Sequence, residues 1–540
     1  MEIRKLLVAN RGEIAARIFA TCRRLAVETV AVVAPDDAGA FHTRRADDVR
    51  AIASYLDTAD VVRAAREAGA DAVHPGYGFL AESPAFAEAV AAAGLIWVGP
   101  PADVLRASGD KLESKRIAVE AGVPAVETGS PEEIGLPLII KAAAGGGGRG
   151  MRVVHAPGEL DEAVAAARRE AKAGFGDDTV FFERYVERPR HVEIQLLADA
   201  HGTVAQLGER ECSVQRRHQK VLEESPSPAV DSALRSEIAD AAVALAERLG
   251  YVGAGTVEFL LEGRRFYFLE LNARIQVEHP VTELVSGIDI VEQQLRVAAG
   301  ERLPIRSDDP SGHAIEVRLY AEDPRSFLPQ AGRIDELALS DSIRVDAGVE
   351  AGDEVPIAYD PLIAKLIAHA DSREEALERL SLALDETRIR GVTTNLPFLR
   401  WLVRHPRVRA GETTTAFLQE NPPLSRAPRV PPAWASYWRL NRNPAVPPPA
   451  ILPPPLVEMS ARPDSAGGAE RSVTAPMPGT VIRVLTAAGN KVEARQPLVV
   501  LEAMKMETPL TSPYAATVRR VNVKEGDRVA GGAILVELDE

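Results

Sequence analysis

The C-terminal end of the chain contains one short unit written twice. Pro476-Met477-Pro478-Gly479-Thr480-Val481 lines up with Pro513-Tyr514-Ala515-Ala516-Thr517-Val518. At the same offset of about 37 residues, Gly489 meets Gly526, Val492 meets Val529, Leu498 meets Leu535 and Leu501 meets Leu538. A unit this small cannot bury an apolar face alone, so two copies most simply pack on each other as a two-fold β sandwich. The segment between them, Val500-Leu501-Glu502-Ala503-Met504-Lys505-Met506-Glu507, is then a hairpin with Lys505 exposed at its tip. A lone lysine in a turn is ordinarily just a solvated turn. A lysine between two methionines at the centre of a repeat is far more specific.

The full length, 540 residues, is too great for one core, so further domains precede this one. Lys and Arg number 63 against 78 Asp and Glu, a net charge of −15, which disfavours nucleic acid or an anionic membrane as the main partner. Only Cys22 and Cys212 occur, so no disulfide framework is implied. The start has too short an apolar run for a signal peptide, and nothing approaches the roughly 20 apolar residues of a membrane span. The chain is expected to be soluble and cytoplasmic.

The first hundred or so residues alternate strand and helix. Strands are expected at residues 3–9, 30–34, 72–74 and 96–98, with a helix running to about Leu25. Another helix is punctuated by Ser83 as N-cap, Pro84 in its first turn and Gly94 after its end. This alternation predicts a parallel sheet covered on both faces. Gly12 stands alone, so no dinucleotide fingerprint is present. Farther on, the apolar run Leu138-Ile139-Ile140-Lys141 enters a glycine-rich stretch from Gly145 to Gly150, and Met151-Arg152-Val153-Val154 leaves it. Glycines let backbone N–H groups close around an anion, so a phosphate-covering hairpin is favoured over a linker. Arg216, Arg217, His218 and Lys220 crowd five positions, which in an acidic chain of this size suggests a site for anionic substrates.

Two strands flank a turn at residues 262–265. A hairpin centred on Arg264 sets Glu258 opposite Glu270 and places Asn272 on the same face. Facing carboxylates repel, so a cation is expected between them. Two carboxylates and an amide oxygen suit Mg²⁺ or Mn²⁺. Phe266 and Phe268 are expected on that same face, arguing against two merely solvated glutamates.

His74-Pro75-Gly76-Tyr77-Gly78-Phe79-Leu80, the glycine run, Arg217-His218-Gln219-Lys220 and Asn272-Ala273-Arg274-Ile275-Gln276-Val277-Glu278-His279 carry a resemblance. Residues 1 to about 420 resemble a biotin carboxylase of the ATP-grasp type, and the repeat with Ala503-Met504-Lys505-Met506 resembles a biotinyl carrier domain. The implied fold is α/β: a parallel-sheet N-domain (1–108), an ATP-grasp lid region (109–190), a C-domain (191–420), a Pro-rich linker (421–471) and a small all-β carrier (472–540). Between Pro124 and Lys141 the chain is shorter than the family pattern by about a helix, which bears on the lid's first helix and its closing motion, while the lid itself is expected to survive because Lys141 and the glycines are intact.

The resemblance implies ATP- and bicarbonate-dependent carboxylation of biotin held covalently on Lys505. It places Lys111 and Lys141 on the ATP phosphates beneath Gly146, Gly147 and Gly148. It places the backbone of Glu183, Arg184, Tyr185 and Val186 at the adenine, with Arg184 replacing a usual lysine. His191 and His218 line the nucleotide site, and Tyr77 and Gln276 complete the cofactor-binding set. Glu258, Glu270 and Asn272 hold the metal. Arg274, Val277 and Lys220 bind bicarbonate, Glu278 is the general base, and Arg318 faces the enolate-like oxygen of biotin. The implied partners are bicarbonate, a biotin protein ligase, a separate carboxyltransferase subunit acting on acetyl- or propionyl-CoA, and a second copy of the chain through the carboxylase domain. Other readings are the carboxylase and carrier subunit of a pyruvate or another acyl-CoA carboxylase, a different ATP-grasp ligase, a scaffold, and a biotin carrier with an inactive ATP-grasp domain. The linker, with Trp434, Tyr437 and Trp438, looks too short for a full interaction domain. About 50 extended residues at about 3.1 Å each reach up to about 150 Å.

Overall fold

The computed structural model describes residues 2–143, 151–216, 219–304, 310–422, 472–477, 479–503, 506–529 and 531–539. Its first layer is a five-stranded sheet in the order β3-β2-β1-β4-β5, built from β1 (Lys5–Val8), β2 (Glu28–Val33), β3 (Asp48–Ala51), β4 (Ala72–His74) and β5 (Ile96–Trp97). Every pairing in it is parallel. Alternate residues face opposite sides. Leu6 and Val8 pack with Ile14, Ile18 and Phe19 of helix Gly12–Arg24, while Leu7, Val30 and Val32 pack with Val61, Ala64 and Phe86 on the other side. Ser83 caps helix Pro84–Ala92 by accepting from the Phe86 N–H, as its sequence predicts. Strand β3 was not anticipated: it is a polar edge strand with no apolar run to announce it.

The lid is a three-stranded antiparallel sheet, β7-β6-β8, from β6 (Leu138–Ala142), β7 (Arg152–Val154) and β8 (Val180–Arg184). Helix Leu160–Phe175 covers it, with Ala167 buried against Leu138, Ile140 and Val154. The pairing of β6 with β7 brackets the glycine run as expected, although residues 144–150, including Gly146, Gly147 and Gly148, lie outside the described residues. The short segment before β6 keeps one helical turn, Pro131–Ile134, held by a reciprocal capping box between Ser130 and Glu133.

The largest element is an antiparallel sheet of eight strands. Its order is β13-β12-β9-β10-β11-β14, from β9 (Arg190–Ala198), β10 (Val204–Arg216), β11 (Gln219–Ser225), β12 (Gly253–Glu262), β13 (Arg265–Asn272) and β14 (His313–Tyr320), followed by strands Leu362–Ala370 and Arg344–Ala347. Helix Ser232–Leu249 packs its buried Leu234, Ile238 and Leu245 on one face with Val192, Val257 and Phe259. Helix His279–Ser286 lies against the strands of the other end, where Val281 and Val285 meet Ala314 and Ile367.

The C-terminal segment forms two four-stranded antiparallel sheets around one apolar core that includes Met477, Val481, Leu498, Leu501, Val518 and Leu538. The two copies exchange strands. Gly479–Val484 of the first pairs with Arg528–Val529 of the second, and Ala516–Val521 of the second pairs with Lys491–Val492 of the first. Pro497–Ala503 pairs with Met506–Thr511 out to Ala503↔Met506, as expected of a hairpin that carries Lys505 between its strands. Lys505 itself lies outside the described residues. Among the described residues, no helix is long and apolar enough to cross a membrane.

Candidate active site

The site is built on the β12–β13 hairpin. Glu262 pairs with Arg265 across a two-residue turn, Gly263-Arg264, so the turn is tighter than one centred on Arg264. One register shift restores the expected pairing. Phe259 faces Phe268 while Glu258 faces Glu270, leaving Leu269 as an extra residue in β13. A bulge of this kind flips the alternation of the bulged strand. Phe266 and Phe268 therefore turn into the core with Val257, Phe259, Leu261 and Leu271, on the face away from Glu258. The expectation that these two phenylalanines flank the carboxylates is overturned. What keeps Glu258 from being merely solvated is its own burial among charged partners.

Those partners converge on Lys220. Its Nζ donates to Glu193 Oε2 at 2.5 Å, Glu258 Oε1 at 2.8 Å and Glu278 Oε1 at 2.6 Å. Arg210, fully buried, donates Nε to Glu193 Oε1 at 2.5 Å and Nη1 to Gln195 and Thr282. Arg318 bridges two carboxylates, with Nε on Glu223 Oε1 at 2.6 Å and Nη2 on Glu278 Oε2 at 2.9 Å. His191 Nε2 lies 3.0 Å from Glu258 Oε2, and its Nδ1 is 2.8 Å from Gln215 Nε2. The cation predicted between Glu258 and Glu270 is thus present in part as a side chain: Lys220 on one carboxylate, with Lys111 acting electrostatically on the other.

Burial raises every carboxyl here, and the local cations decide which stay ionised. For Glu258, Lys220 and His191 outweigh burial and hold the group below the usual range. For Glu278, Lys220, Arg318 and Arg210 outweigh burial and hold it well below. For Glu270, burial and the neighbouring Glu258 outweigh Lys111, so it is raised. Glu193 is raised by burial against Arg210 and Lys220. The facing pair Glu258 and Glu270 is driven apart, one ionised and one favouring its proton, until a further positive charge arrives.

Glu258 and Glu270 are hard oxygen donors on one face and fit Mg²⁺. Asn272 adjoins them through Nδ2, 3.0 Å from Glu258 Oε1 and 3.5 Å from Glu270 Oε1, while its Oδ1 accepts from Arg274 Nη2 at 3.0 Å. Metal ligation by Asn272 requires its amide to turn over and release Arg274. His191, Glu193 and Glu258 also bring ligand atoms within 4.8 Å of one another, but Arg210 and Lys220 already occupy Glu193.

Around this centre, Gln276 Nε2 donates to Glu258 Oε1 at 3.2 Å, and Arg274 reaches Gln276 Oε1 at 2.8 Å and Glu82 at 3.1 Å. The Val277 carbonyl accepts from Lys365 Nζ at 3.0 Å. Tyr77 donates its hydroxyl to Glu13, which Lys365 also meets at 3.0 Å, so Tyr77 belongs to a neighbouring network and not to the Lys220 cluster. The lid residues form a third group. Lys141 and Lys115 share Glu183, at 2.5 and 2.6 Å, and together they outweigh burial and lower its carboxyl. The Arg184 guanidinium lies 5.2 Å from the Tyr267 ring centroid, Tyr185 meets His155 edge-on, and Val186 is buried. Burial lowers Lys111, with Lys141 adding to it against Glu270 and Glu183. His218 lies outside the described residues. Sequence reasoning missed Lys115, Glu193, Arg210, Glu223 and Lys365. A signal was present for Glu193: His191, Glu193 and Gln195 are polar at alternate positions of a strand whose other residues after Arg190 are apolar.

Family models described as biotin carboxylase N-terminal domain, carbamoyl-phosphate synthase L chain ATP-binding domain, biotin carboxylase C-terminal domain and biotin-requiring enzyme match residues 2–105, 111–306, 316–420 and 471–538. The chain is 46% identical to the propionyl-CoA carboxylase alpha chain of Ruegeria pomeroyi over 78% of its length and 68% of that protein's. It is 45% identical to the mitochondrial methylcrotonoyl-CoA carboxylase subunit alpha of Dictyostelium discoideum, spanning 79% of this chain and 65% of that protein. Biotin carboxylase of Halalkalibacterium halodurans is 46% identical over 77% of this chain and 97% of its own. Among solved structures, Campylobacter jejuni biotin carboxylase superposes with a TM-score of 0.76 at 39% identity over 78% of this chain and 99% of its own. Rhizobium etli pyruvate carboxylase superposes with a TM-score of 0.77 at 38% identity, over 92% of this chain and 45% of that one.

Proposed function

Because the chain belongs to the biotin carboxylase family, with a biotinyl segment fused behind it, we propose that it uses ATP and bicarbonate to carboxylate biotin held on its own Lys505. Its cofactors are biotin, ATP and Mg²⁺. The observation that carries the reading is the convergence of Lys220 and Arg318 on Glu278. Bicarbonate is a poor electrophile until it is phosphorylated, and loss of its proton is what makes it the nucleophile that attacks the phosphate. Glu278, ionised and aimed into the site, is the base for that proton. With both cations on it, Glu278 is a weak base. Bicarbonate binding draws Lys220 and Arg274 toward the substrate anion, and the basicity of Glu278 then rises. Glu258, Glu270 and Asn272 would hold Mg²⁺, which would supply positive charge to the nucleotide phosphates. Lys111 and Lys141 add positive charge from the lid side, and Lys141 must exchange Glu183 for phosphate to do so. Arg318 then faces the oxyanion that develops on biotin.

The carboxyl group passes to a separate carboxyltransferase subunit acting on an acyl-CoA, in our reading acetyl- or propionyl-CoA. The relatives, a propionyl-CoA carboxylase alpha chain and a methylcrotonoyl-CoA carboxylase subunit alpha, support the acyl-CoA class. A carboxylase and carrier subunit acting on pyruvate is the second reading, favoured by the likeness to pyruvate carboxylase that extends over the carrier. Biotin is attached by a biotin protein ligase, copies associate through the carboxylase domain, and the partner docks on that domain or on Trp434, Tyr437 and Trp438 of the linker. The biotinylated chain, purified alone, is expected to hydrolyse ATP in a bicarbonate-dependent way and to leave acyl-CoAs untouched. Formation of malonyl- or methylmalonyl-CoA by the isolated chain would overturn this division of labour.

A further inference from the structure

The site contains two carboxyls that the proposed reaction does not use. Glu223 of β11 and Glu316 of β14 face each other directly across the antiparallel pairing, and both are fully buried. Among the described residues, neither carboxyl oxygen of Glu316 finds a hydrogen-bond donor. Glu223 Oε2 finds none either, and its Oε1 has only Arg318 Nε. Two buried carboxyls this close cannot both ionise without a cation for each. Arg318 is the cation of Glu223, and its other end is on Glu278. The second cation on this face, Lys365, is taken by Glu13, Asp346 and the Val277 carbonyl. The remaining charged groups facing the pair are Glu278 and Lys220, which already hold each other. His279, next along the helix, is kept neutral by burial and by Lys365. One proton therefore has to reside in the pair, and a second can enter only as Arg318 leaves.

We propose that Glu223 and Glu316 form a two-carboxyl latch on Arg318: ionised Glu223 draws the guanidinium back into the sheet, and one proton entering the pair releases it toward the substrate. Glu316 keeps its own proton throughout. Arg318 remains a guanidinium, the proton comes from solvent onto Glu223, and it returns there when Arg318 swings back. Glu223 and Glu316 are positioning residues, acting through Arg318. The proposal rests on the reading that Arg318 faces biotin. Burial, opposed by Arg318, pushes the Glu223 carboxyl up to about 7, which sets the latch near neutrality.

The test is the pH dependence of KM for free biotin on the full chain, at constant saturating bicarbonate and ATP. Between pH 6 and 8 the wild-type KM should rise about tenfold, following the fall in the released fraction. Glu223→Gln cannot draw the guanidinium by charge, so its KM should be flat within about twofold and as low as the wild-type value at pH 6. Glu316→Gln replaces a neutral group with a neutral group and should keep the rise, with its midpoint moved by less than about half a unit. A Glu223→Gln variant that retains the wild-type rise overturns the latch, and so does a Glu316→Gln variant that loses it. Arg318→Gln with an unaltered biotin KM at every pH would instead sink the reading of Arg318 itself. If Glu223→Gln fails to fold, calorimetry of biotin binding in buffers of different ionisation heat decides on the wild type. About one proton taken up at pH 7.5 supports the latch, and none overturns it.

Discussion

In the carrier segment the proposed chemistry falls on one residue between two paired strands. In the carboxylase body it falls on a knot of buried charges in which almost every group already holds another. Lys220 alone serves Glu193, Glu258 and Glu278. The difference teaches that the two halves should answer mutation differently. A carrier whose buried core is made by other residues tolerates loss of its reactive residue. In the body, removing one charge redistributes the rest.

The strongest break in that comparison is Lys505→Ala. Covalent biotin should vanish from the intact mass, while unfolding of the carrier stays within about 0.5 kcal/mol of wild type, since the sandwich core lies elsewhere. A biotin adduct persisting on the variant contradicts the assignment. Next comes Glu278→Gln, expected to cut bicarbonate-dependent turnover about 10²- to 10⁴-fold, with nucleotide affinity held nearly constant. Severe loss of ATP binding would mean that Glu278 holds the nucleotide site together instead of accepting a proton. Glu270→Gln should raise the Mg²⁺ concentration needed for half-maximal rate. It should leave metal-free stability equal or slightly higher, because the amide needs no proton to sit buried beside ionised Glu258. Unchanged Mg²⁺ dependence would show that this face is not the metal site.

The smallest effect is on stability. The folded-state pKa values of Glu223 and Glu316 are raised, Glu223 from an ordinary 4.5 to about 7. Groups raised in this way contribute stability that is present below the ordinary value and lost as pH rises through the folded one. Urea unfolding of the wild type should therefore weaken between about pH 5 and 7.5. Glu316→Gln, which carries no charge to bury, should recover on the order of 1 kcal/mol of that loss. A variant that weakens as steeply as the wild type would show that Glu316 is not kept protonated.

How much was legible in the sequence follows the same divide. The repeat made the sandwich readable because each strand had a twin at a fixed offset, and the strand exchange that joins the copies preserves that offset. The parallel sheet was readable from strand–helix alternation, except for the polar edge strand Asp48–Ala51. At the hairpin, the facing of Glu258 and Glu270 came out right through two compensating departures, a tighter turn and the extra residue Leu269, and the same bulge misplaced Phe266 and Phe268. The cations that neutralise the site were harder to read. Arg210 and Glu223 meet their partners across strands with no fixed spacing in sequence, and only the assembled sheet brings them together.

The central claim is that this chain carries out biotin carboxylation on its own Lys505. The direct measurement is a single turnover of the biotinylated full chain with ATP, Mg²⁺ and radiolabelled bicarbonate, followed by rapid gel filtration. We predict acid-labile label on the wild-type protein, none without ATP and none on Lys505→Ala. Label that persists on Lys505→Ala, or its absence from a fully biotinylated wild-type chain, would contradict the account.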